Sequence, residues 1–249
     1  MKSLITACIA VLTLLTGSVQ ALDAGSLAAA LSNSASRADA DKARDAGRKP
    51  AYVVEFLGID EGMTVIDLIA AAGYYTEVLS HAVGASGTVY MQNPPASLTG
   101  ERGARTAGAI DTRLANNRLA NVERLNRDFS DLGLARNSVD AAILALEMHE
   151  MTNSGSNARI TEFLSALFAV LKPGGILGVI EHSSSPDNDN TALHRGSEVA
   201  TIAAAEAAGF TVVATSNLLR NPEDDRSKMV FDSSVRGKTD RFVLKLQKP

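Results

Sequence analysis

Acidic residues and histidines occur together at two places where apolar segments of the sequence end. Glu147, His149 and Glu150 follow one such segment, and Glu181 and His182 end another. These side chains can transfer protons near neutral pH, and two histidines with a carboxylate can hold a metal ion. Neither tract has the close spacing of a zinc motif such as HxH or HExxH, so the sequence predicts no metal site. We predict catalytic roles for Glu147, His149 and His182, with a hydrogen-bonded polar rim as the alternative.

Both tracts belong to a repeating pattern of short apolar strands and helices. The pattern predicts seven strands, at residues 62–68, 87–92, 122–126, 138–147, 176–181, 210–215 and 241–246. It predicts helices at residues 51–57, 74–83, 103–116, 159–171 and 197–208. Strands that alternate with helices are typical of a parallel sheet covered on both faces, and the last two strands lack a helix between them. The sequence therefore predicts one doubly wound α/β domain whose seven-stranded sheet is mostly parallel, with the last strand antiparallel.

The loop after the first predicted strand is the expected ligand site. In a doubly wound sheet, ligands bind beyond the carboxyl ends of the strands, near the point where the strand order reverses. Here that loop has the sequence DLIAAAG, from Asp67 to Gly73. The fourth and fifth predicted strands end beside it, so the histidines and carboxylates should lie near this loop.

This loop and a later tract resemble a known family. The strand, the acidic residue, the small-residue loop and the next helix, with LKPGG before the fifth strand, resemble class I S-adenosylmethionine-dependent methyltransferases. The resemblance covers residues 37–249, and tracts such as RKPAYVVEFLGI and LLRNPEDDRSKMVFD are similar to a branch of exported methyltransferases. It implies a Rossmann-like strand order, S-adenosylmethionine as cofactor and a small-molecule methyl acceptor.

The family's glycine loop is degraded in this chain. After Asp67, the three positions that carry glycine in the family hold Ile69, Ala71 and Gly73. Glycine permits positive φ and a close approach of backbone to ligand, whereas the β-branched Ile69 is disfavoured at such angles. We expect either a changed loop geometry with Ile69 in the core or an Ile69 that partly fills the pocket, and weak cofactor binding. An apolar turn without a ligand is the alternative.

Further cofactor contacts are implied by the resemblance. Asn93 stands where the family commonly has an acidic residue that binds the ribose hydroxyls. Asp128 and Phe129 resemble the pair that contacts adenine, although a turn or helix-cap role is as common for an aspartate. The implied cofactor residues are Asp67, Ile69, Ala71, Gly73, Asn93, Asp128 and Phe129.

A long charged connection, residues 217–240, joins the last two predicted strands. Basic and acidic side chains alternate along it. Loops this long in a compact domain often cover binding sites, although mixed charge is more usual on a solvated surface. We predict a lid whose basic residues meet an anionic substrate or the cofactor carboxylate.

The first 21 residues have the pattern of a secretory signal peptide. Lys2 precedes an apolar run at residues 4–15, which is shorter than a membrane span, and a small-residue cleavage pattern ends at Ala21. We predict a periplasmic or secreted protein that has no membrane contact after cleavage. Residues 22–36 are predicted to be a flexible leader, and residues 37–249 a methyltransferase-like domain.

Composition narrows the range of partners and functions. The 249 residues are 45% apolar and 21% charged, as in folded globular proteins, and the net charge of −4 without long runs of one sign argues against nucleic acid as a partner. The predicted function is an exported S-adenosylmethionine-dependent methyltransferase for a small molecule. The alternative is an exported protein of the same fold that binds a small ligand or metal without methyl transfer.

Overall fold

The computed structural model describes residues 22–153 and 157–249, so the predicted signal peptide at residues 1–21 lies outside the described residues. The strands are β1 Thr64–Leu68, β2 Thr88–Gln92, β3 Val122–Leu125, β4 Val139–Ala145, β5 Leu171–His182, β6 Thr211–Ser216 and β7 Arg241–Gln247. The helices are α1 Ala24–Asn33, α2 Asp39–Arg48, α3 Pro50–Leu57, α4 Tyr74–Val83, α5 Gly100–Leu114, α6 Met148–Thr152, α7 Asn157–Val170 and α8 Glu198–Ala207. In the described part of the chain, none of these helices has the length and apolar character needed to span a bilayer.

All seven strands form one sheet in the order β3-β2-β1-β4-β5-β7-β6. The pairs from β3 to β5 are parallel, and β7 runs antiparallel to both β5 and β6. The chain leaves β1 in one direction and returns to β4 on its other side, which opens a crevice beyond the carboxyl ends of these two strands. The predicted doubly wound, mostly parallel sheet is confirmed.

Alternating strand residues supply two apolar cores, one on each face of the sheet. Val65 and Ile143 pack on one face with α1, α3 and α4. Their chain neighbours Ile66 and Leu144 pack on the other face with α6, α7 and α8. Because side chains alternate across a strand, a sheet buried on both faces needs these continuous apolar runs.

The predicted flexible leader at residues 22–36 is wrong for most of its length. Asp23 caps α1 by accepting a hydrogen bond of 2.7 Å from the backbone N–H of Ser26. The helix buries Ala24, Leu27 and Leu31 in the first core, at the three- and four-residue spacing of one helix face. The alanine and serine residues around this narrow apolar stripe make its helical periodicity weak in the sequence.

Helix α2 is charged, yet ion pairs bind it to the domain. Asp41 is buried and accepts a hydrogen bond of 2.6 Å from Arg113 of α5. Arg113 also pairs with the buried Glu77 of α4, and Arg37 pairs with Asp45 of α2. This network fixes α2 beside the crevice.

Candidate functional site

A cavity of about 720 Å³ lies at the carboxyl ends of β1 and β4, where the topology places a ligand site. Cavities of this size accommodate small molecules and cofactors. The loop after β1 forms one wall, and the end of β4 with the residues that follow it forms another. Further lining residues come from α2, from the end of β5 and the segment after it, and from the 217–240 connection: Arg44, Arg48, His182, His194, Val230 and Phe231.

The loop keeps a glycine-type backbone although two of its glycine positions hold other residues. The φ angles of Ile69, Ala71 and Gly73 are 50°, 48° and 83°. A left-handed conformation costs a non-glycine residue about 1–2 kcal/mol. The changed loop geometry, one of the two outcomes expected for Ile69, is not seen, because all three φ angles are positive. Ile69 packs against the second core and also lines the cavity, so it combines the two positions expected for it.

Two buried side chains at the end of β2 hold this strained loop. The Gln92 Oε1 atom accepts from the Ile69 N–H at 2.8 Å, and the Asn93 Oδ1 atom accepts from the Ala71 N–H at 2.9 Å. The Asn93 amide also donates to the Ala71 carbonyl at 3.2 Å. These bonds satisfy buried backbone groups and offset part of the strain. Sequence reasoning missed the role of Gln92.

The structure does not bring the other implied nucleoside contacts to the cavity. Asn93 lies behind the loop and uses its amide there, so it is not among the lining residues. Asp128 is exposed after β3. Phe129 packs edge-on against Phe163, with 5.6 Å between ring centroids, and lies under the Arg159 guanidinium. Ribose and adenine contacts by these residues stay predictions.

Asp67 lies at the base of the cavity and is 3% exposed. Its Oδ2 atom accepts a hydrogen bond of 2.6 Å from the Thr76 hydroxyl. Burial raises the pKa of Asp67 to about 7, against the opposing effects of this bond and of Arg113 and Arg48. The side chain can therefore carry a proton near neutral pH.

The predicted bases Glu147 and His149 both line the cavity. The Oε2 atom of the fully buried Glu181 accepts from the His149 N–H at 2.9 Å and lies 3.0 Å from its Nδ1 atom. Burial lowers the pKa of His149, but this bond and the charges of Glu181 and Glu150 outweigh it, and the net pKa is raised. Burial, with nearby carboxylates, raises the pKa of Glu147 to about 7.

His182 also lines the cavity but does not suit the predicted role of base. Its Nδ1 atom lies 2.7 Å from the Thr239 hydroxyl. Burial and the positive charge of Arg241 lower the pKa of His182 to about 2. An imidazole with such a low pKa is a weak proton acceptor at physiological pH, and a hydrogen-bonding role fits His182 better.

His194 is a titratable cavity residue to which the sequence assigned no role. His194 lies in the segment between β5 and α8, and its Nδ1 atom is 3.0 Å from the Glu150 Oε1 atom. The two residues are 44 positions apart, so no local spacing indicates the contact. The only available signal was a histidine in a polar loop that follows a strand ending in the site.

The 217–240 connection, predicted as a lid, contributes to the wall of the cavity. Val230 and Phe231 from the 217–240 connection line the cavity wall. A buried ion pair anchors this connection: the Arg195 guanidinium donates to both oxygens of Asp224, at 2.9 and 3.1 Å.

Comparison with known proteins decides the family. The model of the ubiE/COQ5 methyltransferase family matches residues 46–192, which include the loop, the residues after β4 and the end of β5. The chain belongs to the ubiE/COQ5 methyltransferase family. It is 24% identical over 201 residues to the ubiquinone/menaquinone biosynthesis C-methyltransferase UbiE of Escherichia fergusonii, which covers 78% of this chain and 74% of that protein.

Solved structures that share this fold include a methyltransferase. A SAM-dependent methyltransferase from Aquifex aeolicus is 25% identical with a TM-score of 0.59, covering 80% of this chain and 89% of that one. The [4+2]-cyclase SpnF shares the fold at 19% identity, with a TM-score of 0.61 and coverage of 87% and 86%. The family match, with the 25% identical methyltransferase structure, makes this chain an S-adenosylmethionine-dependent methyltransferase.

The cavity residues fit the cofactor of the ubiE/COQ5 family. The loop retains positive φ at its three alternate positions, which is the backbone that a glycine loop presents to a ligand. The cavity beside it is large enough for a nucleoside-sized molecule, and a buried carboxyl group lies at its base. Asp67 and the backbone of residues 69–73 would hold S-adenosylmethionine.

Restoring glycine at Ile69 and Ala71 is expected to tighten cofactor binding about tenfold, or about 1.4 kcal/mol. Removing the Ile69 side chain from the cavity gives the cofactor more room. In the free energy of folding, the relief of strain at both positions offsets the conformational freedom that glycine adds to the unfolded chain. Calorimetric titration with S-adenosylmethionine and S-adenosylhomocysteine measures this. The matched control, Ala70→Gly with Ala72→Gly, changes two loop residues without positive φ and should not tighten binding. Weaker binding by the first double variant would contradict the steric argument.

Proposed function

We propose that this chain is an exported methyltransferase whose acceptor is a small molecule with an anionic group and an apolar part. A second cavity, of about 560 Å³, carries this proposal. It adjoins the cofactor cavity, and the two share Arg44, Arg48, Leu146, His182, Val230 and Phe231. A molecule in the second cavity would therefore lie next to the bound cofactor.

The charge of the second cavity favours an anion. Its basic lining residues are Arg44, Arg48, Arg236, Lys238 and Arg241, and no acidic residue is among the described residues that line it. The Arg241 guanidinium is buried and donates to the backbone carbonyls of Gly47 at 2.7 Å and Gly237 at 3.4 Å. Such a concentration of positive charge, in a chain of net charge −4, attracts anionic ligands.

The same cavity has an apolar side. Leu146, Val230 and Phe231 lie at the junction of the two cavities. Phe231 is 55% exposed and lines both cavities, so its ring offers an apolar surface to a ligand there. An acceptor with an aromatic or alkyl portion would cover it.

The chain's own residues then do three things. S-adenosylmethionine supplies an electrophilic methyl group when it is bound. The basic residues hold the anionic group of the acceptor, which fixes its orientation, and the apolar residues from the 217–240 connection exclude water from the junction. Glu147 and His149 line the adjoining cofactor cavity and are the candidate acceptors for any proton that the substrate releases.

Export is a separate part of the proposal and rests on the signal-peptide pattern in residues 1–21. Fractionation of cells that produce the tagged full chain, with mass spectrometry of its amino terminus, tests it. A mature protein that begins at Leu22 in the periplasm or medium is the expected result, and an intact protein in the cytoplasm would overturn it.

Charge reversal in the second cavity is expected to raise KM for an anionic acceptor about tenfold or more, with a smaller effect on kcat. The variant is Arg236→Glu with Lys238→Glu, since both residues line only the second cavity. A hydrogen bond to a charged group is worth about 1.5–3 kcal/mol. The measurement uses radiolabelled S-adenosylmethionine with a panel of aryl carboxylates, aryl phosphates and their neutral amides.

Its control is Arg124→Glu, a charge reversal on the far edge strand β3. Affinity for S-adenosylhomocysteine should stay constant in both variants. A preference for the neutral amides, or an unchanged KM in the cavity variant, would overturn the anionic acceptor. Cofactor binding without methyl transfer to any acceptor would favour the alternative function of an exported ligand-binding protein.

A further inference from the structure

We infer that His149, Glu150 and His194 form a binding site for a divalent transition-metal ion in the wall of the cofactor cavity. One ligand atom from each residue lies within 4.8 Å of the other two. The Glu150 Oε1 atom is 3.3 Å from the His149 Nε2 atom and 3.0 Å from the His194 Nδ1 atom. Nitrogen and oxygen ligands at about 2.0–2.1 Å from a tetrahedral zinc ion lie about 3.3 Å apart, so these separations suit a shared ion.

The hydrogen bonds of His149 prepare it as a ligand. Glu181 accepts from Nδ1, which places the ring proton on that atom and leaves the lone pair of Nε2 directed toward Glu150. A carboxylate behind a histidine ligand is the usual arrangement in metal sites, where it fixes the ring and raises its basicity. Glu181 is itself held, because its oxygens also accept from the backbone N–H groups of His149 and His182.

The segment that carries His194 is held close to α6. The Asn153 amide at the end of α6 donates to the carbonyl of Arg195 at 2.8 Å. Gly196 pairs with the chain beyond β5, and a Cβ atom there would lie 2.6 Å from the Glu181 side chain. His194 has a φ of 54°, a strained angle for a residue with a side chain, and its Nδ1 atom contacts Glu150. The three ligands are therefore positioned in advance of any ion.

The ligand set indicates the kind of ion and its use. Two imidazoles with one carboxylate favour zinc and its transition-metal neighbours over magnesium or calcium, which prefer oxygen ligands. Three protein ligands leave a coordination position open, as in catalytic zinc sites. All three residues line the cavity, so an oxygen atom of a bound molecule could take the open position. The site does not depend on methyl transfer or on the cofactor. With an ion on the Nε2 atom of His149, Glu147 is the candidate base that stays free to accept a proton.

Direct metal binding tests the inference. The purified protein, stripped with a chelator, is titrated with Zn²⁺ by calorimetry and with Co²⁺ by visible absorption. We expect one ion per chain and the absorption bands of a four- or five-coordinate Co²⁺ site. His194→Ala and Glu150→Gln should each weaken binding at least tenfold, and Glu181→Gln should weaken it about tenfold through His149.

His81→Ala is the matched control, because His81 lies in α4 outside the cluster. It should leave binding unchanged. Binding that is lost in His194→Ala while the melting temperature of the metal-free protein is kept would support the site. The absence of stoichiometric binding would overturn it. Binding that is unchanged in His194→Ala, Glu150→Gln and Glu181→Gln would also overturn it. His194 and Glu150 are partly exposed, so these two variants test the site even where Glu181→Gln fails to fold.

Discussion

Replacing Asp224 with alanine is expected to lower the free energy of unfolding by about 3–5 kcal/mol. Arg195 is fully buried and donates to both oxygens of Asp224. Without this carboxylate, the guanidinium would keep its charge in the interior with only the carbonyl oxygens of Ser183 and Lys228 as partners. Breaking a buried ion pair on one side leaves such an unpaired charge, which is the costly case. Urea unfolding measures the change.

The effect should reach the cavity, because Asp224 holds the 217–240 connection that forms part of its wall. Asp224 also accepts from the Asp240 N–H at 2.7 Å, so it joins both ends of the segment that carries Val230 and Phe231. Asp225→Ala is the matched control: Asp225 is the exposed neighbour, bonded to Ser227, and its loss should leave stability unchanged. Arg195→Ala and Asp224→Ala should be strongly non-additive. Additive effects, or an Asp224→Ala variant as stable as the control, would contradict this account.

The sequence predicts the order of strands and helices well, because the central strands are apolar on both faces. Residues 74–83 were predicted as a helix, and α4 has these bounds. Helix α1 was missed because its apolar stripe is only Ala24, Leu27 and Leu31, set among alanine and serine. The β5 strand begins at Leu171 and not at residue 176, since the LKPGG tract leaves the ladder at a bulge but stays beside β4.

At the site, residue types could be predicted but their tertiary partners could not. Local propensity argues against positive φ at Ile69, yet the buried Gln92 side chain holds the backbone there. Asn93 has the right position for a ribose contact, but the structure uses its amide to hold Ala71. His194 contacts Glu150 because the segment between β5 and α8 lies beside α6 in the folded protein. In each case a hydrogen bond between residues far apart in the sequence determines the local structure, and the spacing of residues in the sequence does not indicate it.

The Asp67→Asn variant is expected to become more stable than the wild type as pH rises, by up to about 4 kcal/mol between pH 4 and pH 8. Burial raises the pKa of Asp67 from its usual 3.8 to about 7. Between these values the folded protein keeps a proton that the unfolded chain has released. Stability is therefore present in full at low pH and lost as pH rises toward 7. Asparagine stays neutral, keeps an oxygen for the Thr76 hydroxyl and avoids this loss.

The measurement is the difference between the two unfolding free energies at each pH. The titrations of His149 and His182 have opposite effects on stability but occur in both proteins, so they cancel in the difference. Asp225→Asn, at an exposed position, should show no gain with pH. A flat difference for Asp67→Asn would show that Asp67 ionises normally and is solvated in the folded protein.

A stability gain from Asp67→Asn bears on function as well. A residue that destabilises the folded protein at neutral pH, where an amide of the same shape would not, fits the trade-off between stability and activity at a functional site. Asp67 lies at the base of the cofactor cavity, next to the strained loop. We therefore expect Asp67→Asn to weaken S-adenosylmethionine binding at pH 8 while it raises the melting temperature. A variant that gains stability and binds the cofactor as tightly as the wild type would remove Asp67 from the binding site.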